Sequence, residues 1–297
     1  MTKRSERAPW GDFPSIIRNG DLGELKAQPE YLAAKAGDKV AGLEIAQRLL
    51  RDDIIGEIRA QLGDRKPKIL PVIAMEATGK NSIPLAFAAL IAHKLGLELE
   101  LGIGQVERVF RTDSGSDHRL VYNPRFSGEV EPGADYLIVD DTLTMGGTLA
   151  SLRGYLENRG GHVVAGFAAV AHEGAVSLPI KTGMLTGIKA RHGDAMNEMW
   201  IEEFGYGIDQ LTQGEAGHVK KAASVEAMRV RIHDARSQAG WAMDAGRTEA
   251  ASGTRQFPAI GRELKEALQS PALSTGKWPE LRSLAGKLKC DKDSPEP

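Results

Sequence analysis

YLIVDDTLTMGGTLAS, residues 136–151, is the stretch that decides the fold. A short apolar run, Asp135 to Val139, reads as a strand buried on both faces. It ends in two carboxylates, Asp140 and Asp141. A turn of small and hydroxyl residues follows, from Thr142 to Gly147, and a helix opens near Thr148. A strand–turn–helix of this kind places backbone N–H groups and the positive end of a helix at one spot, where they favour an anion such as phosphate. Gly146 and Gly147 let the backbone approach without a Cβ in the way. Thr144 and Thr148 add hydroxyl donors. The carboxylates repel phosphate, but they can accept hydrogen bonds from a diol or hold the water shell of a metal ion.

Working outward, the same alternation recurs. Lys68 to Met75 (KILPVIAM) reads as a first core strand, and Ser82 to Leu95 as a helix, with Ser82 as its cap, Pro84 in its first turn and Gly96 just past its end. Leu97 to Ile103 reads as a second strand. Leu149 to Arg159 is expected to be helical up to Gly160-Gly161, and His162 to Val170 to be a further strand. Strands alternating with helices imply an α/β fold with a parallel, Rossmann-like sheet flanked by helices. Residues 38–62 carry apolar positions at helical spacing, with Asp38 as N-cap. Residues 1–20 read as an irregular arm. The expected division is 1–62 for the arm and helices (a possible hood), 63–178 for the core, 179–240 for a mainly helical extension, and 241–297 for a flexible linker, a short helix at 259–269 and a disordered tail.

The segment Val139 to Thr148 (VDDTLTMGGT) resembles the phosphoribosyl-diphosphate (PRPP) signature of the type I phosphoribosyltransferases. That resemblance covers roughly residues 66–175 and implies that family's core fold. It implies that Asp140 and Asp141 take the ribose hydroxyls, and that Thr144, Met145, Gly146, Gly147 and Thr148 take the 5-phosphate. Glu76 to Ser82 (EATGKNS) fails as a Walker A loop, because Ala74 and Asn81 stand where Gly and Ser or Thr are needed. It looks instead like the family's pyrophosphate loop, with Thr78, Gly79, Lys80 and Ser82 toward the diphosphate. The polar stretch Arg108 to Gly128 has the length of a lid, and Arg111, His118 and Arg119 are its candidate cations. No lysine lies between Lys94 and Lys181, which departs from the lysine-bearing lid of orotate phosphoribosyltransferases.

The resemblance implies a Mg²⁺-dependent transferase that passes a phosphoribosyl group from PRPP to a nucleobase-like acceptor. Lys80, Arg111, His118 and Arg119 would be catalytic, and Asp140 and Asp141 would hold Mg²⁺ through water. A homodimer is also expected. The alternative is a PRPP- or nucleotide-binding regulator without turnover.

Composition limits the other classes. The chain has 297 residues, of which 41% are hydrophobic and 26% charged, enough to build a real core. A net charge of −2 provides no global field for bulk nucleic-acid binding. One cysteine, Cys290, excludes a disulfide framework and a Cys-cluster zinc site and fits a cytoplasmic setting. The longest apolar stretch, Ile83 to Ala92, is too short to span a bilayer. Gly102-Ile103-Gly104 lacks the third glycine of a dinucleotide fingerprint. His172-Glu173 and His192-Gly193-Asp194 read as surface pairs, Lys220-Lys221 as a solvated face, and Trp200, Phe204 and Tyr206 as core.

Overall fold

The computed structural model describes residues 6–73, 75–76, 79–106 and 116–238. In chain order the elements are β1 (Ile17–Gly20), α1 (Tyr31–Lys35), α2 (Lys39–Leu49), α3 (Asp52–Leu62), β2 (Lys68–Pro71), β3 (Met75–Glu76), β4 (Gly79–Lys80), α4 (Ile83–Leu95), β5 (Gly104–Gln105), α5 (Ser116–Val121), β6 (Phe126–Ser127), β7 (Asp135–Leu143), α6 (Gly147–Glu157), β8 (His162–Ala171), α7 (Thr182–His192), α8 (Ala195–Phe204), α9 (Gln213–Lys220) and α10 (Val225–Gln238).

The main sheet has the order β1-β8-β7-β2, and every pairing in it is parallel. In β7, Tyr136 and Ile138 join one hydrophobic cluster while Leu137 and Val139 join another. Both faces are therefore covered, which is why this strand carries an unbroken apolar run. Helices α2, α3 and α4 lie on the Leu137 face, and α6 lies on the Tyr136 face together with Trp10 and Phe13.

The expected second strand, Leu97 to Ile103, is not formed as a strand. It touches β2 through a single parallel bridge, Ile69 to Leu99. Ile69 N–H donates to Glu98 O at 2.7 Å, and Glu100 N–H donates to Ile69 O at 2.9 Å. The chain then leaves the sheet, and Gly104–Gln105 pairs antiparallel with Phe126–Ser127. The fourth full strand comes from the segment read as an irregular arm: Ile17–Gly20 runs parallel to β8 at the sheet edge. Four residues, IRNG, with a single large apolar side chain give too little alternation to be recognised from sequence.

The rest of the arm is a structural strap. Arg153 on α6 donates to the carbonyls of Ala8, Pro9 and Trp10, and Trp10 Nε1 donates to Leu211 O at 2.8 Å. Residues 38–62 form two helices. Asp38 caps the first, accepting from Val40 N–H at 2.9 Å and Ala41 N–H at 3.1 Å. The break between them is filled by buried Asn19, which donates to Leu49 O and accepts from Arg51 N–H. Trp200, Phe204 and Tyr206 are core, with the first two rings stacked at 4.3 Å. The region 239–297, including the expected helix at 259–269, lies outside the described residues. Among the described residues no helix is long and apolar enough to cross a membrane.

Candidate functional site

From β2 the chain crosses through α4 to one side, toward Leu99, and from β7 it crosses through α6 to the other side, toward β8. The order of strands reverses between β2 and β7. In open parallel sheets that reversal leaves a crevice at the carboxyl ends of the strands. A cavity of about 460 Å³ lies there.

Asp140, Asp141, Thr144, Met145, Gly146, Gly147 and Thr148 all line this cavity, together with Arg119. Strand β7 runs to Leu143, four residues beyond the expected end at Val139, so both carboxylates belong to the strand itself. Strand alternation then separates them. Asp141 shares its parity with Leu137 and Val139 and faces α1 and α4. Its Oδ2 accepts from Lys35 Nζ at 3.1 Å and from Asn81 Nδ2 at 2.7 Å. Asp140 has the opposite parity, and its Oδ1 accepts from Asp141 N–H at 2.9 Å. Both are nearly buried, Asp140 at 9% exposure and Asp141 at 7%.

The turn after β7 has Gly146 at φ +82°, a left-handed conformation that favours glycine. A Cβ at that position would lie 2.4 Å from Leu178 Cδ2, so the close approach is to the protein's own core rather than to a ligand. Helix α6 begins at Gly147, two residues before the expected start. Arg119 Nη1 donates to Thr144 Oγ1 at 3.4 Å, which brings this candidate lid cation near the turn. Helix α5, which carries Arg119, is held against α10 by the Arg231–Asp117 ion pair and by Tyr122 Oη donating to Arg236 O at 3.2 Å.

Other expected site residues are placed differently. Ser82 makes no cap hydrogen bond to α4; its hydroxyl donates to Ala34 O at 2.9 Å and to Asp38 O at 2.7 Å. Asn81 takes the capping role, accepting from Ile83 N–H at 3.1 Å. The His118 ring lies tilted against Tyr122, centroids 4.5 Å apart, and His118 is not among the residues lining the cavity. Gly79 and Lys80 form a two-residue ribbon with Met75–Glu76. Thr78 and Arg111 lie outside the described residues, as does the Lys80 side chain. His172 Nδ1 accepts from Gly174 N–H, and His192 Nε2 lies 3.4 Å from Lys220 O, so both imidazoles serve local structure.

The cavity also has walls that the sequence did not reveal. Leu22, Leu25, Lys26, Tyr31 and Lys35 come from the segment before α2, and Gln105 and Val170 come from other loops and strands. None belongs to a motif, and long-range pairing alone brings them here. Asn81 was visible only as the residue that spoils a Walker A loop.

Among the described residues no group of three or more His, Cys, Asp or Glu side chains could hold a metal ion. Asp141 is already tied to Lys35 and Asn81.

The chain is 54% identical over 275 residues to Protein TraN of Escherichia coli, an alignment covering 90% of this chain and 61% of that protein. It is 39% identical over 155 residues to an uncharacterized protein of Haemophilus influenzae, covering 52% of this chain and 35% of that protein. The chain thus spans at most about three-fifths of the length of these two relatives. No family model matches the chain.

These findings overturn the functional side of the resemblance. The VDDTLTMGGT segment is a local likeness, whereas the TraN alignment runs along nine-tenths of the chain. The assignments to a phosphoribosyltransferase, to PRPP and a nucleobase as partners, and to nucleotide metabolism, with the regulator variant of the same idea, are therefore withdrawn. A strand–turn–helix with a glycine pair recurs wherever a backbone must turn tightly at a sheet edge, so ten matching residues do not carry a reaction. What stands is the α/β fold with a four-stranded parallel sheet flanked by helices.

Proposed function

We propose that this protein acts in conjugal transfer, and that its cavity binds a small oxyanion. The kinship with TraN supports the first part. The second rests on one observation: the turn from Thr144 to Thr148 and the carboxylates of Asp140 and Asp141 border the same cavity. The turn and the first N–H groups of α6 attract an anion. On this reading the Asp140 carboxylate would accept hydrogen bonds from a ligand's hydroxyl groups, beside the Lys35–Asp141–Asn81 cluster. Lys26, Lys35 and Arg119 offset the acidic pair, so the anion meets a cavity of mixed charge. Any magnesium would arrive on the ligand's own phosphate oxygens.

Calorimetric titration of the whole chain with inorganic phosphate and with glucose 6-phosphate tests this. Saturable binding of both is expected, with the sugar phosphate tighter. Thr148→Val should weaken both ligands by roughly the value of one charge-assisted hydrogen bond, about 1.5–3 kcal/mol. Asp140→Asn should narrow the gap between them. Absence of saturable binding to either ligand overturns the cavity assignment.

A further inference from the structure

The cavity-lining turn is held from behind by a buried hydrogen-bond chain that reaches the N-terminal strap. Thr212 Oγ1 donates to Met145 O at 2.5 Å. A hydroxyl has one proton, so the same oxygen acts as acceptor for Glu215 N–H, at 3.0 Å. The Glu215 carboxylate accepts in return from Thr212 N–H at 2.9 Å, completing a capping box at the start of α9. Arg7 then closes on that carboxylate with two hydrogen bonds, of 2.8 and 3.0 Å. Thr212 and Glu215 are wholly buried, and Arg7 is 6% exposed. Burial strips the guanidinium of hydration and favours its neutral form, but the Glu215 charge, Tyr206 and the hydrogen bonds to Glu215 together outweigh this and raise the Arg7 pKa. None of the three residues lines the cavity.

Such a cluster exceeds what capping one eight-residue helix requires. Its position suggests the reason. The Met145–Gly146 peptide is trans, so its C=O and N–H point in opposite directions. Glycine at position 146 lets this peptide flip at little cost. By binding Met145 O from the rear, Thr212 selects the orientation in which the Gly146 N–H is turned away from α9. The carbonyl, which would repel an anion, is kept on the α9 side. Gly214 packs so closely that a Cβ there would lie 3.2 Å from Met145 Cα, which leaves the flipped peptide little room.

We propose that Thr212, with Glu215 and Arg7 behind it, is a positioning residue that sets the anion affinity of the turn without touching the ligand. This rests on the phosphate-binding role proposed above, and the test separates the two. The full chain and its Thr212→Val, Thr212→Ser and Glu215→Gln variants are titrated with inorganic phosphate, and the Gly146 amide is followed by ¹⁵N NMR. Thr212→Val should lose roughly tenfold in affinity and shift the Gly146 amide, while Thr212→Ser keeps both near wild type. Glu215→Gln, which keeps a side-chain oxygen for Thr212 N–H but removes the charge that Arg7 pairs with, should fall between them. Equal phosphate affinity in wild type, Thr212→Val and Glu215→Gln overturns the positioning role, as does an equal loss in the Val and Ser variants. If wild type itself does not bind phosphate, the ligand assignment has failed instead, and an unmoved Gly146 amide in Thr212→Val then overturns the positioning role independently.

Discussion

At the scale of single residues, the acidic doublet shows how neighbours in sequence part company in space. Asp140 and Asp141 sit on opposite faces of β7 because a strand alternates its side chains. Asp141 meets Lys35 and Asn81. Asp140 accepts from the Asp141 N–H, and both carboxylates border the cavity. Burial also marks His218 on α9. Loss of hydration holds its pKa below the ordinary histidine value; the positive charges of Lys221 and Arg231 add to this, while Asp117 and Glu215 oppose it. A base whose folded pKa is depressed takes up its proton first in the unfolded chain. Its contribution to stability is thus complete above about pH 6.5 and declines as pH falls from there toward the folded value. The urea midpoint of wild type should drop more steeply between roughly pH 7.5 and pH 5 than that of His218→Gln. Parallel pH profiles for the two proteins would remove His218 as the cause.

At the scale of elements, packing is decided where two backbones meet. Gly154 lies within α6, where a helix propensity argument would welcome alanine. A Cβ there would lie 2.5 Å from Arg7 Cα and 2.7 Å from Arg7 N. These are backbone atoms of the strap and cannot rotate away. Gly154→Ala should therefore destabilise the fold by about 1–3 kcal/mol, the usual range for overpacking, seen as a lowered urea midpoint at unchanged slope. A gain in stability would show that the strap yields without cost. Helix α5 illustrates the opposite case, an element with little core of its own. Asp117 and Tyr122 dock it onto α10, and through that docking Arg119 is delivered to Thr144.

At the scale of the whole molecule, the two ends of the described chain are joined through its interior. Arg7 and Trp10 reach residues 211–215, and Arg153 reaches the strap from the other side. Truncating one member of a buried ion pair such as Arg7–Glu215 strands a charge, at a cost of about 3–5 kcal/mol, so strap and helical extension should not unfold separately. Denaturant unfolding followed by tryptophan fluorescence and by far-ultraviolet circular dichroism should give one coincident transition. Two separated transitions would mean that the extension beyond β8 is an independent unit.

Local pattern determined a good deal by itself. The burial of β7 and β8, the helices α4 and α6 between strands, the Asp38 cap and the aromatic core of α8 follow from periodicity and capping chemistry, which act over a few residues. The turn at 144–148 was legible for the same reason: glycines, hydroxyls and a helix start are neighbours in the chain. What only the tertiary structure decided depends on contacts between distant segments. Ile17–Gly20 became a sheet strand because β8 offered an open edge, and Leu97 to Ile103 did not because its hydrogen bonds with β2 end after one bridge. Lys35, Tyr31 and Thr212 carry no motif, and nothing within ten residues of them points to the cavity. They reach the cavity or the back of its turn because α1 packs Ala34 into the core on one face of the sheet while α9 packs Ala216 and Val219 into the separate helical cluster, and no reading of local spacing can supply that long-range term.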